Sequence, residues 1–142
     1  KGLTVSGIGE VVINEDQANV DLRVESDTDA NAFRVQASTG IVSVGKVARG
    51  ILTTDNDGSF DLAASNNFKC TPSGNFTLTF TNIASQSGNI LLINSGGHTV
   101  SAHSNTKVDA NILGTISTAG TYLLAYFSDG TNVYMTNSAI YS

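Results

Sequence analysis

The chain has 142 residues, a net charge of −5, 40% apolar content and only 13% charged residues. Ser, Thr, Asn and Gly fill 60 of its positions, a strand-and-turn composition poor in helix formers. So acidic a chain has little with which to release counterions from a phosphate backbone, which argues against nucleic acid; no apolar run approaches the roughly 18 residues of a membrane-spanning helix, and no basic amphipathic helix suits a membrane surface.

The chain opens on Lys1 rather than Met, which reads as a fragment or a processed product. "SGIGEVV" carries Gly7-x-Gly9 without the third glycine or the following helix of a dinucleotide fingerprint, and reads as a turn before a strand. Residues 1–49 then hold short strand-like pieces, "EVVIN", "ANVDLRVES", "NAFRVQAS" and "GIVSVGK". Val20, Leu22 and Val24 share one parity, Phe33, Val35 and Ala37 the next, then Val42 and Val44. Leu22, Phe33 and Val42 are spaced 11 and 9 residues apart, as are Val24, Val35 and Val44, a loose repeat that reads as short rungs. Two or three apolar side chains per rung cover one side of a ribbon, and at about 25 cal/mol per Å² their burial falls short of an ordering entropy of about 1–2 kcal/mol per residue. Either the second part of the chain folds back over that stripe, or identical chains meet stripe to stripe around a three-fold axis, and the repetition favours the second. Val20, Leu22, Val24, Phe33, Val35, Val42 and Val44 are therefore the expected homotrimer interface.

"DTDAN" sets Asp27, Asp29 and Asn31 at alternate positions, like the first half of a calcium loop. Ala32 stands where that loop needs glycine and Ser38 where it needs a bidentate glutamate, so a solvated turn is expected, as it is for Asp55 and Asp57 in "TTDNDGS".

Residues 50–142 read as a second, all-β domain. "GSFDLAAS" and "NFKCTPS" are candidate strands, and "NFTLTFTNI" alternates strictly, with Phe76, Leu78 and Phe80 on one side and three threonines on the other. Ile90 to Ile93 form a continuous apolar run, read as a strand covered on both faces. "HTVSAHS" and "TKVDANIL" follow as strands, and "GTYLLAYFSDGTNVYMTN" as a hairpin turning at Ser128–Thr131 with Asp-Gly at its centre. Strands every eight to twelve residues point to a jelly-roll-like β-sandwich.

No catalytic constellation is expected. Cys70, the single cysteine, shares parity with Phe68 and reads as a small buried hydrophobe. His98 and His103, five apart, fall on opposite faces of one strand. No G-x-S-x-G elbow occurs, and beyond residue 62 the carboxylates are Asp109 and Asp129, too few for a glycosidase acid pair. "NFT" at Asn75 matches a glycosylation sequon and reads as strand residues. Tyr122, Tyr126 and Tyr134 belong to a C-terminal aromatic cluster for which core or interface packing is the first expectation and contact with a glycan the alternative. No metal or cofactor is expected.

The segment "NEDQANVDLRVESDTDANAFRVQASTGIVSVGK", Asn14 to Lys46, resembles a motif of virion structural proteins of tailed phages, especially marine ones, most specifically at Val20–Ser26. "SGNILLINSGGHTVSAHSNTKV…YLLAYFSDGTNVYM" is similar to C-terminal β-domains of phage fibres and spikes; His103 stands near the place where those often carry Trp. The resemblance implies a homotrimeric, non-enzymatic component on the virion exterior, in contact with other capsid or tail proteins. The role expected is a fibre, spike or appendage domain; the alternatives are a capsid decoration protein at three-fold positions and a host-glycan receptor module.

Overall fold

The computed structural model describes residues 21–141. They are mostly β-strand with one short helix, and they divide between Arg49 and Gly50 into two compact units.

The first unit is an antiparallel meander of β1 (Leu22–Ser26), β2 (Asp29–Gln36) and β3 (Ile41–Val44), in that order across the sheet. The loops explain the reversals. Ser26 pairs with Asp29, leaving a two-residue turn. After β2, the amides of Thr39 and Gly40 both donate to the Gln36 carbonyl, at 3.3 and 2.8 Å, and Gly40 takes a φ of 68° that favours glycine. The expected rungs are thus hairpins. Antiparallel pairing also regroups the apolar side chains: Leu22 faces Val35 and Val35 faces Val42, while Val24 faces Phe33 and Phe33 faces Val44.

The second unit opens with six strands that alternate between two sheets: β4 (Leu52–Thr54), β5 (Ser59–Asp61), β6 (Asn67–Cys70), β7 (Phe76–Thr81), β8 (Ser85–Asn94) and β9 (Val100–Ala102). β4, β6 and β8 pair in parallel in one sheet, and β5, β7 and β9 pair in parallel in the other. Every step from β4 to β9 crosses between sheets, so the chain winds through three stacked coils. This corrects the jelly-roll expectation, whose strands are antiparallel. The physical reason lies in the corners: a connection such as Asp55–Gly58 carries the chain from one layer to the other and leaves successive strands of a layer running the same way. That corner is held by carboxylates accepting from amides two residues on, Asp55 from Asp57 at 3.2 Å and Asp57 from Ser59 at 2.8 Å. Gly58 there is buried with φ 85°.

After β9 come β10 (Thr106–Lys107), α1 (Ala110–Ile116), β11 (Gly120–Asp129) and β12 (Val133–Asn137). β11 pairs antiparallel with β8 and with β12, and β10 joins β12 in parallel, giving a six-stranded sheet in the order β10-β12-β11-β8-β6-β4. The β11–β12 turn places Gly130 at φ 92°, with the Asp129 carboxylate accepting from Thr131 and Asn132 at 2.8 and 2.7 Å. The strand expected over "TKVDANIL" survives only as β10. Asp109 caps α1 instead, accepting from the Asn111 amide at 2.7 Å, and Ile112, Leu113 and Ile116 turn to the core.

The core lies between the two sheets. Phe60, Phe68, Phe80 and Tyr126 form a chain of tilted rings with centroids 5.2 to 5.6 Å apart. Ile90 and Leu92 are buried, while Leu91 and Ile93 are half-buried on the outer face, so the apolar run of β8 is fully covered on one side only.

Candidate functional site

The residues expected at a subunit interface share one face of the meander. Among the described residues they form two cross-strand rows of three, Leu22–Val35–Val42 and Val24–Phe33–Val44; Val20 lies outside the described residues. A three-stranded sheet is a single layer, and the described residues of the unit supply no second layer over this face. Leu22, Phe33 and Val35 are half-buried, whereas Val24, Val42 and Val44 are 52%, 62% and 46% exposed. Side chains of this kind normally lose most of their accessible surface on folding.

The opposite face carries charge. Arg23 and Arg34 stand directly across from one another, a like-charge pair that would repel if left alone. Each is neutralised by an acid: Arg23 meets Glu25 at 2.7 Å, and Arg34 holds Asp21 through Nη2 at 2.6 Å and Nε at 2.8 Å. Asp21 also accepts from the Ala37 amide at 2.9 Å. That amide, followed by the Arg34 guanidinium, holds the Asp21 carboxyl below its ordinary value. These side chains and Asn31 line an open basin of about 610 Å³ whose positive and negative charges cancel. The meander is thus apolar on one face and polar, with internally paired ions, on the other. Val20–Ser26 displayed the alternation but not the ion pairs, which depend on hairpin register.

The aromatic cluster divides. Tyr122 is fully buried and its hydroxyl bonds the Thr115 and Thr118 carbonyls at 2.9 and 3.1 Å. Tyr126 is 3% exposed and donates to the Asn66 carbonyl at 3.1 Å. Neither ring presents a face to a sugar, which corrects the glycan alternative for both: their parity on β11 is that of the core. Tyr134 is exposed and reaches Asp129 at 3.2 Å. Its cross-strand neighbour is Phe127, also exposed, an outer-face pair that only the hairpin register reveals.

Other chemistry-bearing side chains are engaged in local turns and in the core. His103 Nδ1 lies 2.7 Å from the Asn105 side chain. Asp29 accepts from the Asn31 amide at 2.8 Å in a turn. Cys70 is buried, and burial pushes its thiol up to about 12, away from nucleophilic use at neutral pH. Among the described residues no three His, Cys, Asp or Glu side chains gather as a metal site, and no helix is long and apolar enough to cross a membrane. No family model, no curated protein and no solved structure matches the chain.

Proposed function

We propose that the chain is a non-enzymatic structural component of a phage virion, a homotrimeric fibre, spike or appendage domain on the particle exterior that contacts other capsid or tail proteins. The observation that carries this reading is the apolar face of the meander, which no described residue of the unit covers. Six apolar side chains in two rows of three, on a single-layer sheet, call for a partner surface of the same chemistry. Three copies intertwined about one axis supply it: the rows turn inward, and the ion-paired face with Arg23 and Arg34 turns to water. The resemblance of Asn14–Lys46 to tailed-phage virion proteins, and a second unit made of stacked coils, both fit an elongated particle appendage.

The test is the molar mass of the purified chain by light scattering across a dilution series. Three times the 14.7 kDa of one chain is the expected result. A folded species with the mass of one chain at all concentrations would overturn the trimer and, with it, the virion assignment. Labelled antibody against the chain should then decorate the outside of intact particles.

A further inference from the structure

We infer that the Arg49–Gly50 peptide bond is a cleavage site for a serine endopeptidase of basic specificity, and that the cut leaves Gly50–Ser142 as a folded product. The chain divides into its two compact units at this bond. An endopeptidase takes its substrate as an extended strand, several residues to either side of the bond it breaks, and pairs with that strand's backbone. A peptide bond is open to it where the chain is exposed and its backbone unpaired.

Residues 46–51 meet that demand. All are exposed, and even the apolar Val47 and Ile51 are 73% and 72% exposed. β3 ends at Val44 and β4 begins at Leu52, so the segment belongs to no strand. Among the described residues no backbone–backbone hydrogen bond engages residues 46–50. The segment is anchored just outside this stretch: the Gly45 amide donates to the Ala32 carbonyl at 3.1 Å, and the Ile51 carbonyl accepts from the Ser65 hydroxyl. Arg49 has Val47 and Ala48 ahead of it and Gly50, without a side chain to obstruct an enzyme, behind it. Lys46 is the poorer target, because the bonded Gly45 and the end of β3 lie directly ahead of it.

The other basic side chains of the described residues sit in strands. Arg23 in β1 and Arg34 in β2 are ion-paired with Glu25 and Asp21. Lys69 lies in β6, between β4 and β8, and Lys107 lies in β10, where its Nζ donates to the Ser104 carbonyl at 2.6 Å. A bond in a strand is cut only while that strand is out of its sheet, so its cleavage follows a small open population. Enzymes of this specificity hold a carboxylate at the bottom of the side-chain pocket, which the Arg49 guanidinium would meet. Hydrolysis adds one water across the bond: the Arg49 carbonyl carbon takes its oxygen and becomes a carboxylate, and the Gly50 nitrogen leaves as an amine.

The product stays folded because its core is its own. Among the described residues the buried apolar cluster runs from Phe60 to Met135, wholly within the second unit, and so do Ile83, Val108, Ile112 and Leu113 packed against it. β4, two residues past the new end, keeps its pairing with β6.

The experiment digests the full chain with trypsin, without denaturant, and weighs the products by mass spectrometry over time. The first cut should yield Gly50–Ser142, at least about tenfold faster than any cut after Arg23, Arg34, Lys69 or Lys107. Arg49→Gln changes one exposed side chain and should slow that cut at least about tenfold, whereas Lys46→Gln should leave its rate unchanged. The purified product should keep the circular dichroism and cooperative melt of a β-domain. A first cut after Lys46 or within a strand, a parent chain that stays whole until denaturant is added, or an Arg49→Gln variant cut at the same place and rate would overturn the site. A Gly50–Ser142 product that unfolds or is degraded as soon as it appears would overturn the claim that the cut leaves a folded domain.

Discussion

The side-chain amide of Asn94, fully buried at the end of β8, donates to the carbonyl of Ile116 at 2.8 Å and so ties the third coil to the last turn of α1. The same amide donates to the His98 carbonyl, and its oxygen accepts from the His98 amide, both at 2.8 Å. Three hydrogen bonds that join the end of β8, the following turn and α1 therefore pass through one side chain. Asn94→Leu should leave buried carbonyls unsatisfied and cost about 2–4 kcal/mol, read from urea unfolding. A variant as stable as the parent would mean that water or backbone shifts take over those bonds.

Gly88 should tolerate nothing larger. A Cβ at this position of β8 would run into the Asn66 carbonyl and the Tyr126 hydroxyl. That carbonyl also accepts from the Asn89 amide at 3.0 Å and the Tyr126 hydroxyl at 3.1 Å, so it has little room to retreat. Gly88→Ala is expected to cost about 1–3 kcal/mol, against no measurable cost for Gly74→Ala, where a Cβ meets open space.

Leu22→Asp or Phe33→Asp should abolish the trimer and leave the second unit folded. Each places a carboxylate in one of the two apolar rows, where no partner waits for it. Light scattering should show single chains, and the cooperative melt of the coil core should persist. A trimer untouched by either substitution would contradict the inward-facing meander.

Cys70 gives the stability a dependence on alkaline pH. Burial, followed by the carboxylates of Asp55 and Asp57, pushes its thiol from an ordinary 9.0 up to about 12. The folded state favours the neutral thiol, so this contribution is complete below pH 9 and is lost as pH rises from 9 toward 12. Cys70→Ala should flatten that part of the profile, measured by urea unfolding on either side of pH 9. Native Cys70 should also resist a thiol reagent that labels it readily in denaturant.

One-sided strands were legible in the sequence and strand partners were not. In "NFTLTFT" the alternation of Phe76, Leu78 and Phe80 with threonines marks a strand with one face in the core, and those three are the buried ones. The coils stayed hidden because their lengths differ: Leu52 stacks on Asn67, 15 residues on, but Asn67 stacks on Asn89, 22 residues on. A ladder without a fixed period leaves no repeat to detect. The meander failed in the opposite way. Its apolar positions recur at nearly regular spacing, which suggested rungs, yet the two-residue turn after Ser26 and the Gly40 turn reverse the chain and exchange the partners of Phe33 and Val35. The helix was missed because "DANIL" alternates loosely enough to pass for a strand. Asp109 ahead of Ile112, Leu113 and Ile116 was the available capping signal.

The hairpin of β11 and β12 fixes the direction in which such a domain can change length. β8 has surrendered its far edge to β11, which runs the wrong way to accept another winding, and the Ser117 hydroxyl occupies the Val100 amide at 2.9 Å on the matching edge of β9. Among the described residues, β4 and β5 alone keep free margins of the two parallel ladders, both on the first winding. Longer or shorter relatives should therefore differ by whole turns inserted or deleted ahead of Phe68, each adding about 4.8 Å of height, while everything after Ser85 stays a constant terminal cap.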